Sequence, residues 1–154
     1  MDFHQMKSEM CYKQGKYRES ADEWRALLHF REQLPARRLS YATYQLALSL
    51  ALTDDPACHD YFRQSIDLAV VAKDTTVAIH YMRNYADVLA SSSQARYVES
   101  NVLLLEILRL MPSLNEHAIL YIGLAANYLN LHLYDAAQRY LKLAWERENY
   151  WNGR

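Results

Sequence analysis

The chain has 154 residues, a formal net charge of -1, and only 3 glycines and 3 prolines against 51% hydrophobic residues. That length suffices to bury a core in one domain, 1–154. The scarcity of turn formers argues against a sheet protein and for an all-helical one, and the balanced charge supplies no basic surface for a polyphosphate backbone, so no direct nucleic-acid partner is expected. Cys11 and Cys58 are too few for the disulfide framework of a small secreted domain. The start, MDFHQMKSEM, holds no apolar signal core, and the apolar run near 102–105 is far too short to span a bilayer. A soluble cytoplasmic protein without membrane insertion is expected.

In chain order, helical periodicity predicts eight helices, near 3–14, 17–33, 38–53, 57–72, 75–91, 95–111, 115–131 and 134–149. The first pair sets Lys7, Ser8 and Cys11 on one helix against Ser20, Trp24, Leu27 and Leu28 on the next, and closes at Leu34-Pro35. The second pair has Leu46, Ala47 and Leu50, then Asp54-Asp55-Pro56, where the proline suits a first helical turn, then Cys58, Phe62, Ser65 and Ile66. The third has Tyr85, Ala86 and Leu89, then Tyr97, Ser100, Leu104, Ile107 and Leu108, closing at Met111-Pro112. In the fourth, Tyr121, Leu124, Ala125 and Tyr128 share one face. The pattern breaks at Leu131, His132 and Leu133, and restarts with Asp135 in a first turn ahead of Ala137, Leu141 and Ala144.

These pairs are copies of one another. Small residues stand at Ser8, Ala47, Ala86 and Ala125, each 39 residues from the last, and the neighbouring positions step back in the same register, Leu124 to Tyr85, Leu46 and Lys7, so that only the first copy is degenerate. A small side chain at that place lets the second helix approach the first. The fourth pair resembles the tetratricopeptide repeat: Tyr121, Leu124, Ala125, Tyr128, Tyr134, Ala137, Leu141 and Ala144 stand at its Trp, Leu, Gly, Tyr, second Tyr, Ala, Phe and second Ala positions. It departs at His132, where the family often has glycine, and its 39-residue step is longer than the family's usual unit of about 34. Lengthened units also occur in bacterial regulators that sense signalling peptides, and the chain has a weaker resemblance to those. The resemblance implies a right-handed α-α superhelix, a TPR-like solenoid of about eight helices in four hairpins near 3–33, 38–72, 75–111 and 115–149.

The same resemblance implies a concave surface lined by the first helix of each pair, and it places there Tyr12 in the first copy, Tyr41, Tyr44 and Gln45 in the second, His80, Arg83, Asn84 and Asp87 in the third, and Ile119, Ile122 and Asn130 in the fourth. Gly123, Ala126 and Leu129 fall on the same surface of the fourth copy. His80, Arg83, Asn84 and Asp87 recur at i, i+3, i+4 and i+7, which makes one polar stripe on a helix. Arg83 offers a bidentate partner for a carboxylate, and Asn84 a donor and an acceptor for an extended backbone. In the fourth copy the face turns apolar and calls for a cover: a ligand's side chains, a further helix or a second copy in a homodimer. Trp145, Tyr150 and Trp151 either mark a self-association surface or pack back onto the last hairpin, and packing is the expectation.

Catalytic and metal constellations are poor. The six histidines are scattered without an i, i+4 pair, there is no cysteine pair at zinc spacing and no glycine-rich phosphate loop, and Cys11 and Cys58 fall on packing positions. No metal, cofactor or enzymatic activity is expected. The expected function is that of a peptide- or protein-binding adaptor or regulator working through its concave groove, with a secretion-type chaperone or a structural oligomerisation module as the alternative. A co-chaperone clamp for C-terminal carboxylates fits less well, because Gln5, Glu9 and Gln45 occupy places where that clamp needs Lys and Asn.

Overall fold

The computed structural model describes residues 3–111 and 117–151 of the chain, the side chains of residues 150 and 151 excepted. Among the described residues there are eight α-helices, one 3-10 turn and no strand. They are α1 (Phe3–Lys13), α2 (Tyr17–Leu28), the 3-10 turn Arg31–Gln33, α3 (Ala36–Ala51), α4 (Cys58–Val71), α5 (Thr75–Ser91), α6 (Tyr97–Leu110), α7 (His117–Asn130) and α8 (Tyr134–Trp151). Each packs against its neighbour in the chain: α1 on α2, α3 on α4, α7 on α8, with α2 on α3 and α6 on α7 joining successive pairs. The chain is an all-α helical repeat. It divides into two compact units, Met1–Tyr81 and Met82–Arg154, with the division inside α5.

Two of the boundaries that depart from the periodicity have a local cause in the chain. The helix expected to reach residue 33 ends at Leu28 and passes through the 3-10 turn into Leu34 in extended conformation ahead of Pro35, since the residue before a proline is pushed out of helical geometry. The helix expected at 57 begins at Cys58, where the Asp55 carboxylate accepts the Ala57 backbone N–H at 2.9 Å. The expected Met111-Pro112 break and the start of the helix at 115 fall partly outside the described residues.

The small residues behave as the repeat requires. Ser8, Ala47, Ala86 and Ala125 are all buried to 2% exposure or less. In the first pair Ser8 Oγ reaches both the Ser20 carbonyl and the Ser20 hydroxyl at 2.9 Å, and in the third Ser100 Oγ donates to the Ala86 carbonyl at 2.9 Å. Helix faces that close together leave no room for a water layer, so polar atoms at the contact bond to each other.

A second set of contacts, at the joints between successive pairs, uses the same register. Ser20 Oγ on α2 meets Ser49 Oγ on α3 at 3.1 Å, and Ser100 Oγ on α6 accepts from the Asn127 amide on α7 at 2.9 Å. Asn127 also donates to Asn101 Oδ1 at 2.9 Å. Ser49 and Asn127 stand two 39-residue steps apart, and Ser20 and Ser100 are each the fourth residue of their helix. One joint therefore recurs in each unit, a buried polar pair inside an otherwise apolar contact.

The backbone repeats as well. Gly15, Asp54 and His132 have φ of 74°, 56° and 59°, and they lie one and then two 39-residue steps apart. Each sits in the same helix-ending turn: Lys16, Asp55 and Leu133 donate their N–H to the carbonyls of Cys11, Leu50 and Tyr128 at 2.9 to 3.0 Å, five residues back. The departure from glycine at His132 is thus absorbed by a histidine in the left-handed region, whose ring lies 3.1 Å from the Tyr134 hydroxyl. In the third copy the carbonyl of Leu89, in the same register, accepts instead from Arg96 at 2.7 Å, seven residues on. Those two added residues account for the slip by which Tyr97, not residue 95, starts α6. Lys73, after α4, ends that helix in the same way at φ 56°.

Because side chains other than glycine pay for this conformation by about 1–2 kcal/mol, Lys73→Gly should stabilise the protein by about 0.5 to 1 kcal/mol after the entropic cost of glycine. Gly15→Ala should destabilise it by about 1 kcal/mol, with no steric contribution, since a Cβ there meets nothing within 4 Å. Urea denaturation of both variants measures the two shifts.

Candidate functional site

In the first unit, the first helices α1 and α3 and the opening turns of α5 gather tyrosines. Tyr44 on α3 stacks on Tyr81 of α5 with ring centroids 4.0 Å apart and planes at 13°. His80 lies beside it, ring centres 5.7 Å apart, with Nε2 at 3.5 Å from the Tyr44 hydroxyl. Phe62 of α4 meets the Tyr44 ring edge-on at 6.1 Å. One turn back on α3, Tyr41 crosses Trp24 of α2 at 5.8 Å, and Tyr12 of α1 crosses Tyr17 at 5.3 Å.

The phenols form one electrostatic group. Burial raises Tyr12, Tyr41, Tyr44 and Tyr81 above the ordinary value, Tyr44 furthest, with Tyr81, Tyr12 and Tyr41 adding to the effect on Tyr44. For Tyr41 the Glu9 carboxylate pushes the same way while a hydrogen bond with Gln45 opposes it. Glu9 in turn accepts from the Gln5 amide at 3.1 Å. Tyr12, Tyr41 and Gln45 are half-buried and His80 is exposed, so each offers an accessible edge, whereas Tyr44 is only 5% exposed. The Tyr44 ring is a packing element beneath the others and not an open contact surface.

The remaining expected residues lie in the second unit. On α5, Arg83 and Asn84 are half-buried and Asp87 is exposed at its rim; partial desolvation raises the Asp87 carboxyl and Arg83, one turn away, opposes that rise. On α7, Ile119 and Ile122 are exposed, with Leu129 beyond them. Asn130 is exposed but commits its amide to the Ala126 carbonyl of its own helix at 2.9 Å. Gly123, expected on the same open surface, faces α6 instead: a Cβ there would stand 3.2 Å from Leu104 Cδ1.

Two expectations for α8 are corrected. Leu141, at the family's Phe packing position, is exposed, and Trp145 is exposed and not folded back onto the hairpin. No helix among the described residues covers the face that carries them. Tyr150 and Trp151 lie outside the described side chains.

Periodicity passed over an open cleft of about 290 Å³ on another side of α3, lined by Leu39, Thr43 and Leu46 and walled by Arg25, His29 and Arg31. It exists because α2 stops at Leu28, and the proline at 35 was its only sequence signal. Among the described residues no three His, Cys, Asp or Glu side chains come together as a metal site, and no helix is long and apolar enough to cross a membrane. Cys11 and Cys58 are buried and are not joined in a disulfide.

No protein-family model matches the chain, and no curated protein matches it at a significant level.

A raised phenol stabilises the fold in its protonated state, so that contribution is complete below the ordinary tyrosine value of 10.0 and is lost as pH rises above it. Tyr44→Phe removes the titrating group while keeping the stacked ring. It should leave stability at neutral pH nearly unchanged and shift alkaline unfolding to higher pH, as followed by circular dichroism; an unshifted alkaline transition would show that the Tyr44 hydroxyl is not a buried proton holder.

Proposed function

We propose that the chain is a non-enzymatic peptide- or protein-binding adaptor or regulator of tetratricopeptide-like type, holding an extended segment of its partner along its first helices. The observation that carries the proposal is the grouping of Tyr12, Tyr41, Gln45 and His80 around the stacked Tyr44–Tyr81 pair in the first unit. Tyrosine supplies a large rigid face at low entropic cost together with a hydroxyl that hydrogen-bonds a peptide backbone. Gln45 adds a donor and an acceptor, and Glu9 places one carboxylate at the border, so a segment with a basic side chain near an aromatic one is favoured. In the second unit, Arg83 and Asn84 fit the role of carboxylate and backbone contacts on the same partner class. The protein works, in this proposal, without metal or cofactor and in the cytoplasm.

The exposure of Ile119, Ile122 and Leu129 along α7 favours a second role, that of a secretion-type chaperone shielding an apolar segment of its client.

Selection of a random peptide library on the purified protein, followed by calorimetry of the best binders, separates these. Peptides held by the tyrosine group should lose about tenfold in affinity, roughly 1.4 kcal/mol, on Tyr41→Ala and on His80→Ala, and peptides using the polar stripe should lose as much on Arg83→Ala. Ile122→Asp should affect only a client bound on α7. Binders indifferent to all four substitutions would contradict the proposal.

A further inference from the structure

The first and last of the described helices, α1 and α8, expose the faces that the helices between them use to join one pair to the next. In α2 and α6 the eighth residue, Trp24 and Leu104, is buried: Trp24 against Tyr41 of α3, Leu104 against Gly123 of α7. The eighth residue of α8 is Leu141, and it is 55% exposed, with Trp145 one turn on at 66%. On the receiving side, Phe3 and Met10 of α1 share the register of Ala42 and Ser49 in α3 and of Leu120 and Asn127 in α7, in 39-residue steps. Those four inner residues are buried, whereas Phe3 and Met10 are 71% and 54% exposed.

The chemistry of the two faces matches as well. At the inner joints a polar residue meets a polar residue, Ser20 with Ser49 and Ser100 with Asn127. The corresponding fourth residue of α8 is Ala137, and the residue that would meet it from a first helix of α1 type is Met10: both apolar. An Ser49- or Asn127-type face against Ala137 would strand a buried hydroxyl or amide at a cost of about 1–3 kcal/mol, whereas Met10 leaves no polar atom unpaired and adapts to the space around Leu141. The outer face of α8 is therefore fitted to a first helix that carries Met10, and α1 is the helix of this chain that does so.

We propose that this protein associates with itself head to tail, the α8 face of Leu141 and Trp145 on one copy seating on the α1 face of Phe3 and Met10 on the next, in the geometry of the inner joints. Such a contact uses two different surfaces, so each copy keeps one free half after pairing, unlike a two-fold dimer in which one surface meets itself.

That asymmetry makes the test decisive. Sedimentation velocity of the full chain over a dilution series should show average mass rising with concentration. Met10→Glu and Leu141→Glu each remove one half of the contact from exposed positions, and each variant alone should remain monomeric with an unchanged helical circular dichroism spectrum. Mixed in equal amounts, they should form a species of two chains and nothing larger, because the Leu141 variant keeps an intact α1 face and the Met10 variant an intact α8 face. Should either substitution lower the helical signal, Phe3→Glu or Trp145→Glu replaces it on the same face. A wild type that stays monomeric up to millimolar concentration overturns the proposal. Association abolished by Leu141→Glu but untouched by Met10→Glu also overturns it, in favour of a symmetric α8 pairing, and so does a mixture that stays monomeric.

Discussion

The close approach of two helices at Ser8, Ala47, Ala86 and Ala125 is the constraint on which everything else in this structure depends. A residue as large as leucine at any of these places would hold the pair apart, lose the neighbouring apolar contacts and break the spacing that the next pair inherits. Because the four positions are 39 residues apart, the constraint also acts as a ruler: each helix must present its small residue at the same depth, and the turn between helices must have a length that keeps it there. The left-handed residues Gly15, Asp54 and His132 stand in that same register. Chain geometry and packing thus repeat together.

The joints between pairs carry a different kind of information. Apolar contacts alone would tolerate sliding, whereas a buried hydroxyl or amide must find its partner or lose a hydrogen bond. Ser20 with Ser49, and Ser100 with Asn127, impose the same alignment in each unit. The corresponding residue of α5 is Val88, and there the polar pair is not part of the repeat. The tyrosine group of the first unit does not follow this register, since Tyr12, Tyr41 and Tyr81 are not 39 residues apart, yet all three act on the Tyr44 phenol buried among them.

Much of this was legible in the residues. The helix pairs and the small-residue series follow from periodicity, because the pattern of apolar positions reports which face is buried, and the exposure of Ile119 and Ile122 follows from the places that the repeat resemblance gives them. The polar joints were not legible: Ser49 and Asn127 look like breaks in an apolar face until their spacing is compared, and a serine in a helix more often bonds its own backbone, as Ser49 also does with the Gln45 carbonyl at 3.0 Å. Tyr44 is buried although the resemblance places it on the open face, because a tyrosine's place on a face does not say which edge is covered, and here Tyr81 and Phe62 cover it. The repeat puts a large apolar packing residue at Leu141, but in the inner copies that residue is buried by the following pair, and α8 has none among the described residues.

The measurement that bears most directly on the repeat compares two neighbouring alanines of α7. Ala125 is 2% exposed in the small-residue register, while Ala126, next in the chain, is exposed. In urea denaturation, Ala125→Leu should cost about 1–3 kcal/mol by overpacking the α7–α8 contact, and Ala126→Leu should stay within about 0.5 kcal/mol of wild type. Equal effects of the two substitutions would contradict the account, since the close helix approach at residue 125 would then not be what holds the pair.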